Sequence, residues 1–112
     1  MTNAGSAQAT GTWRKAIELD ELWEGEMTGV EVAGTKVLLV NLDGDVRAYE
    51  NRCPHQEWAL DEGDFDGEKI TCSRHLWEFD AASGAGVNPT DCRLKAFPCR
   101  VTSDDTVEVD VP

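Results

Sequence analysis

The chain has 112 residues, enough for one domain with a single modest core. It contains 10 Lys and Arg against 22 Asp and Glu, a formal net charge of −12 at pH 7. This balance excludes nucleic acid as a partner, because phosphate binding requires clustered basic residues, but it suits a domain guided to basic protein surfaces. A membrane span is excluded as well, because no apolar run approaches the roughly 18 residues that one requires.

The N-terminal segment, residues 1–11, consists of small and polar uncharged residues after the initial Met. It has no hydrophobic periodicity, and it lacks the basic start and apolar stretch of a secretory signal. We therefore expect a disordered tail over 1–11, a single domain over 12–112, and a cytoplasmic protein.

Short extended segments separated by turn signals follow the tail. The segments predicted as strands are 13–16, 26–32, 35–42 and 46–50, while 18–23 predicts at most one helical turn before Gly25. The apolar run within 35–42 is typical of a strand that is buried on both faces. The dipeptide Asp43-Gly44 is a strong signal for a hairpin turn.

The C-terminal part predicts two more strands, 94–101 and 106–111, paired across the turn at 103–105. Valines alternate with acidic residues in the last strand, so Glu108 and Asp110 are predicted to face solvent. Many short strands with frequent turns indicate an all-β sandwich or small barrel.

Residues 50–90 break this rhythm and contain both histidines of the chain. Cys53-Pro54-His55 and Cys72-Ser73-Arg74-His75 each offer one thiolate and one imidazole, with sixteen residues between the two segments. A mononuclear zinc site usually takes its sulfurs from one pair and its nitrogens from another. The split pattern instead suits a [2Fe–2S] centre in which two thiolates hold one iron and two imidazoles hold the other. We predict one such cluster per chain, with Cys53, His55, Cys72 and His75 as its ligands.

These motifs resemble the Rieske family. Its spacing is matched by three successive segments, Cys53-Pro54-His55-Gln56-Glu57, Cys72-Ser73-Arg74-His75-Leu76-Trp77-Glu78-Phe79 and Gly84-Ala85-Gly86-Val87-Asn88-Pro89-Thr90-Asp91-Cys92. The likeness covers roughly residues 13 to 111, and it is greatest to the ferredoxins of toluene-type (toluene 4-monooxygenase-like) aromatic monooxygenase systems. It implies the Rieske fold: an antiparallel β sandwich or barrel base with a cluster-binding subdomain inserted at about 50–90.

The resemblance also implies a function. The chain is expected to be a monomeric one-electron carrier without catalytic residues, linking an NADH-dependent flavoprotein reductase to a diiron monooxygenase of aromatic hydrocarbons. The alternatives are the ferredoxin of a Rieske ring-hydroxylating dioxygenase and the small Rieske subunit of a nitrite reductase. A structural zinc module is the alternative from another class.

Six further residues are candidates for contacts around the cluster or with a partner. Gly84, Gly86 and Pro89 resemble the third loop that covers the cluster in this family, although a plain turn would also explain them. Gln56 and Glu57 follow the first ligand pair and either meet a partner or are simply exposed. Trp77 either packs in the core or presents an aromatic face to a partner.

The sequence also predicts which end of the Rieske range the redox potential of the centre lies in. In high-potential relatives, hydroxyls point at the cluster from two and four residues after the second histidine. Trp77 and Phe79 occupy these places here and have no hydroxyl. Fewer hydrogen bonds then stabilise the reduced cluster, so we expect the low end of the range of roughly −150 to +300 mV.

Two features remain. Cys92 and Cys99 have no nearby histidine and are predicted to be buried free thiols rather than a disulfide. Five acidic residues separate the ligand pairs and predict a solvated acidic face, with a docking patch as the alternative: Asp61, Glu62, Asp64, Asp66 and Glu68.

Overall fold

The computed structural model describes residues 13–52, 59–72, 77–88 and 93–111. This part of the chain is built from eleven strands and two 3-10 turns, Leu19–Glu21 and Leu60–Glu62. The strands are β1 (Trp13–Glu18), β2 (Met27–Val32), β3 (Thr35–Leu42), β4 (Asp45–Glu50), β5 (Asp64–Phe65), β6 (Lys69–Thr71), β7 (Glu78–Asp80), β8 (Gly86–Asn88), β9 (Ala96–Phe97), β10 (Cys99–Val101) and β11 (Thr106–Asp110).

The strands form three antiparallel sheets. Their orders are β1-β11-β10 in the first, β2-β3-β4-β9 in the second and β5-β6-β7-β8 in the third. The predicted all-β class is therefore confirmed. Within the described ranges, no helix has the length and apolar character needed to cross a membrane.

Two tight turns set the register of the second sheet. Ala33-Gly34 joins β2 to β3, and Asp43-Gly44 joins β3 to β4. Both residues of each turn have positive φ, 52° and 83° in the first and 58° and 97° in the second, as a type I′ turn requires. The predicted hairpin at Asp43-Gly44 is confirmed.

Strand β3 separates two hydrophobic cores. Leu39 faces the first core with Val37, Val107 and Val109, and Leu38 faces the second. The second core contains Val40, Tyr49, Leu60, Ile70, Cys72, Phe79, Ala81 and Leu94 besides Leu38. Because successive side chains of a strand point to opposite faces, the apolar run of β3 supplies both cores at once. Its predicted burial on both faces is confirmed.

The prediction of a single strand over 94–101 is wrong. The chain pairs with β4 through β9, and then with β11 through β10. Pro98 lies between these strands, and it has no backbone N–H to give to either ladder. Its carbonyl oxygen accepts a hydrogen bond from the backbone nitrogen of Asp110 at 3.0 Å. The chain therefore passes from the second sheet to the first at Pro98, while the predicted pairing across the 103–105 turn is confirmed.

The predicted exposure of Asp110 is also wrong, since its residue surface is 2% exposed. Strand β11 is the central strand of the first sheet, and Asp110 lies opposite Trp13 of β1. Among the described residues, every buried side-chain nitrogen and oxygen has a hydrogen-bond partner. A buried carboxylate can be accommodated in this way, although the alternation of the sequence places it outside.

Candidate metal centre

In the sequence, the strands of the third sheet lie between two strands that are paired neighbours in the second sheet. Strands β5 to β8 follow β4 in the chain, yet β4 pairs directly with β9 through Ala48↔Phe97 and Tyr49↔Ala96. At one end of the inserted sheet the pairs Asp64↔Thr71, Thr71↔Glu78 and Glu78↔Asn88 form a row across all four strands.

The segments that carry the predicted ligands connect to this same end of the sheet. Thr71 and Glu78 border the connection that includes 73–76, and β8 ends at Asn88 just before 89–92. Segment 53–58 leads into β5 through the 3-10 turn at 60–62. The topology therefore brings the flanks of all three segments together. Cys53, His55, Gln56, Glu57, His75 and Pro89 lie outside the described residues.

Cys72 is the one predicted ligand that the structure describes. It follows β6 directly, it is 0% exposed, and its thiol is free of any disulfide. Its backbone nitrogen donates a hydrogen bond to the carbonyl oxygen of Trp77 at 2.8 Å, which ties together the two ends of the connection between β6 and β7. The sulfur thus lies in apolar surroundings at the loop-bearing end of the sheet. Such a position shields a metal–thiolate bond from solvent, so Cys72 fits the buried side of a cluster.

Trp77, Gly84 and Gly86 are the other described candidates. Trp77 is half-buried and packs against the second core. The core interpretation of Trp77 is thereby supported, while part of the residue remains exposed for a contact. Gly86 lies in β8 opposite Phe79, beside a bulge in the pairing. It is therefore a strand residue at the start of the third segment.

Tyr49 and Asn51, which lie outside the motifs, and the motif residue Gly84 also help to build the site. The Tyr49 hydroxyl donates a buried hydrogen bond to the carbonyl oxygen of Ala81 at 2.6 Å, and thus joins the second sheet to the third. A Cβ at Gly84, where φ is +79°, would lie 2.8 Å from Cε1 of Tyr49. Asn51 lies on one side of segment 53–58 and accepts hydrogen bonds from backbone groups on the other side. The sequence signals for these roles are the glycine that opens the third motif segment and an asparagine directly after a strand.

The acidic stretch is exposed at all five positions, as the predicted solvated face requires. Asp66 differs from its neighbours because its Oδ1 accepts hydrogen bonds from the backbone nitrogens of Lys69 at 2.7 Å and Glu68 at 2.9 Å. These bonds, with that from Lys69 first, hold the pKa of Asp66 below its usual value. Asp66 is therefore a turn-forming residue whose side-chain oxygen is required as an acceptor.

Cys99 is a free thiol packed against the first core. Burial raises its pKa to about 12, while Arg47 lowers the pKa slightly and Asp45 raises it slightly. A thiol with so high a pKa stays protonated at neutral pH and is a poor metal ligand. Cys99 is free of a disulfide, as predicted, but only partly buried, whereas Cys92 lies outside the described residues.

Comparison with known proteins identifies the family. The model of the Rieske [2Fe–2S] domain matches residues 12–98. The ferredoxin component of the alkene monooxygenase system of Xanthobacter autotrophicus is 42% identical over 74% of this chain and 69% of its own length. The biphenyl dioxygenase ferredoxin subunit of a Pseudomonas species is 36% identical over 86% of this chain and 90% of its own length. Among solved structures, the ferredoxin of carbazole 1,9a-dioxygenase from Nocardioides aromaticivorans superposes with a TM-score of 0.82 at 30% identity, covering 91% of this chain and all of that one.

The chain therefore belongs to the Rieske [2Fe–2S] domain family. Within that family it is similar to ferredoxin components of oxygenase systems, both monooxygenase and dioxygenase. The predicted Rieske fold and the predicted Rieske-type [2Fe–2S] cofactor are both confirmed.

Proposed function

We propose that this chain is the ferredoxin component of an oxygenase system. It takes single electrons from an NADH-dependent flavoprotein reductase and passes them to a diiron monooxygenase that acts on aromatic hydrocarbons. The observation that carries the proposal is the split Cys/His ligand pattern within these 112 residues. Relatives of nearly the same extent bear the name of ferredoxin.

The proposed ligands are Cys53, His55, Cys72 and His75. The burial of Cys72 at the loop-bearing end of the third sheet supports its place on the buried side of the cluster. Bound there, the cluster supplies a site that gains and gives up one electron. Two imidazoles in place of two thiolates remove two negative charges, which makes the added electron easier to accept.

The chain's own residues favour the low end of the Rieske potential range. Phe79 is fully buried in the second core, and Trp77 packs against the same core. Neither residue offers a hydroxyl that could stabilise the reduced cluster. Gln56, Glu57, Gly86 and Pro89 remain proposed contacts around the cluster or with a partner.

The proposed domain runs over 12–112 as one monomeric cytoplasmic unit, with 1–11 as a tail and the cluster-binding subdomain at about 50–90. The link between base and subdomain supports a single unit. Besides the Tyr49 hydrogen bond, Nε of Arg47 donates to the carbonyl oxygen of Ala82 at 3.2 Å. Both acceptors lie in the turn between β7 and β8.

The partner oxygenase is tested by reconstitution. With NADH and a flavoprotein reductase present, the purified protein should support turnover by a purified diiron hydroxylase of the toluene type. A Rieske dioxygenase terminal component serves as the second acceptor, because two dioxygenase ferredoxins are also similar to this chain. Turnover with the dioxygenase component but not with the diiron hydroxylase would show that the partner is a dioxygenase. The proposed electron-carrier function would still hold.

The ligand assignment is tested by metal analysis and by substitution. The purified protein should contain two irons and two acid-labile sulfides per chain. His75→Cys should shift its visible spectrum towards that of an all-thiolate cluster, whereas Cys99→Ser, the control, should leave the spectrum unchanged. One zinc and no sulfide would show a structural zinc module instead.

Charge should contribute to association with both partners. At limiting protein, the electron-transfer rate should fall as ionic strength rises, because a domain with a charge of −12 is steered partly by long-range attraction. The double variant Glu62→Gln/Asp64→Asn tests the acidic stretch without disturbing the turn at Asp66. The matched control, Glu24→Gln/Asp43→Asn, removes the same charge from exposed positions near the far end of β3. Equal rates for the two variants would mean that the acidic stretch is only solvated.

A further inference from the structure

A single buried side chain joins the two flanks of segment 53–58. Oδ1 of Asn51 accepts hydrogen bonds from the backbone nitrogens of Leu60 at 2.8 Å and Asp61 at 3.1 Å. Asn51 is 8% exposed, and its own backbone nitrogen donates to the carbonyl oxygen of Lys36 at 3.0 Å. One residue therefore links the end of β4, the start of β3 and the 3-10 turn that leads into β5.

Strand β2 passes directly over this junction at Gly29. A Cβ at this position would lie 2.7 Å from Nδ2 of Asn51 and would collide with the carboxylate of Asp61. The φ of Gly29 is not positive, so the glycine serves close approach rather than backbone conformation. Asn51 and Asp61 are thus held against β2, and the spacing between the flanks is fixed from two sides.

We propose that Asn51 is a positioning residue for the cluster. It fixes the distance between the ends of segment 53–58 and thereby places Cys53 and His55 for ligation. This inference rests on the ligand assignment proposed above. The segment has six residues, so a shift at either flank is passed to both ligands over a short length of chain. Loss of Oδ1 would also leave two backbone amides beside the fully buried Leu60 without their partner, which favours local opening.

The chain contains a matched control at the other end of β3. Asn41 is 3% exposed. Its Nδ2 donates to the carbonyl oxygen of Leu22, and its Oδ1 accepts from the backbone nitrogen of Gly44, both at 2.8 Å. Like Asn51, it is a buried asparagine that holds backbone groups on either side of a chain reversal. Asn41 lies near the end of β3, whereas Lys36, which binds the backbone of Asn51, lies at its start.

The test compares Asn51→Ala, Asn51→Asp and Asn41→Ala as cluster-loaded proteins. For each, one measures iron release to a chelator, the EPR spectrum of the reduced protein, the midpoint potential and the thermal unfolding temperature. Asn51→Ala should release iron about tenfold faster or more, with altered EPR g values, because one buried and one part-buried hydrogen bond are lost. Asn51→Asp keeps an acceptor oxygen but places a carboxylate beside that of Asp61, so its release rate should lie between those of Asn51→Ala and the wild type, while its extra negative charge lowers the potential. Asn41→Ala should unfold at a lower temperature but keep wild-type release, EPR spectrum and potential.

The proposal is overturned if Asn51→Ala and Asn41→Ala give the same iron release and the same EPR spectrum. The wild-type protein decides the ligand assignment separately, through its iron and sulfide content and its g values. Should Asn51→Ala be recovered only as unfolded chain, Gly29→Ala carries the test, because it retains Asn51 and crowds its amide with one methyl group. Wild-type release and EPR in Gly29→Ala would then overturn the proposal.

Discussion

The second and third sheets pack against each other through the second core, but they are built differently. Strands β2, β3 and β4 have six to eight residues each and are joined by two-residue turns. Strands β5 to β8 have two or three residues each. So short a ladder has few hydrogen bonds of its own, and a sheet of this kind needs packing against another element. The long strands therefore provide stability, whereas the short third sheet carries the site and depends on the long strands for its position.

The contact between these two sheets is concentrated at a few side chains. Leu38 and Val40 of β3 supply apolar surface to the second core, where they meet Ile70 and Phe79 of the third sheet. Tyr49 of β4 adds the buried hydrogen bond to Ala81. The cluster end of the molecule should therefore respond to substitutions on one face of β3 and not to those on the other.

The largest expected effect separates the two faces of β3. Leu38→Ala and Leu39→Ala remove the same atoms from adjacent positions that are both 0% exposed, and each should lower the free energy of unfolding by about 2–5 kcal/mol. Leu38 shares its core with Cys72, and Leu39 does not. Iron release from the cluster-loaded protein should therefore accelerate in Leu38→Ala only. Faster release in both variants by the same factor would show that the sheets respond as one unit.

The next effect is a loss of stability in alkaline solution. Burial raises the pKa of Tyr49 from 10.0 to about 12, with Arg47 opposing the shift. Between these values the unfolded chain loses a proton that the folded chain retains. Stability attributable to Tyr49 is therefore complete below pH 10, and it falls by about 1.4 kcal/mol per pH unit as the pH rises towards 12.

The variant Tyr49→Phe isolates this contribution. At neutral pH it should be less stable than the wild type by about 1–2 kcal/mol, because the Ala81 carbonyl loses its 2.6 Å partner. The difference should narrow above pH 10, because the variant has no hydroxyl to ionise. Denaturant unfolding of both proteins at several pH values measures it. A difference that stays constant to pH 12 would contradict the raised pKa.

The long strands could be predicted from the sequence, because their signals are local. The apolar run of β3 and the Asp43-Gly44 turn each act within a few residues, and both predictions are confirmed. The split at Pro98 and the burial of Asp110 were missed because they depend on which sheet the chain joins, a property of distant strands. Sequence spacing identified the Rieske motifs directly. The roles of Asn51, Tyr49 and Gly29 could not be found in this way, since their partners lie nine to thirty-two residues away.

The smallest expected effect lies on the first sheet, away from the site. Arg100 of β10 stacks on the ring of Trp13 with its guanidinium carbon 4.1 Å from the ring centroid, and it pairs with Glu108 of β11 at 2.8 Å. The side chain of Arg100 is about half exposed, so the ion pair and the cation–π contact together should contribute no more than about 1 kcal/mol. Arg100→Lys keeps the charge but loses the planar group, so we expect a decrease of about 0.5 kcal/mol in unfolding free energy. Because this sheet lies on the far side of the first core, the midpoint potential and iron release should equal those of the wild type. A shifted potential in Arg100→Lys would mean that the first sheet also positions the cluster, and the distinction between stabilising base and dependent site would then fail.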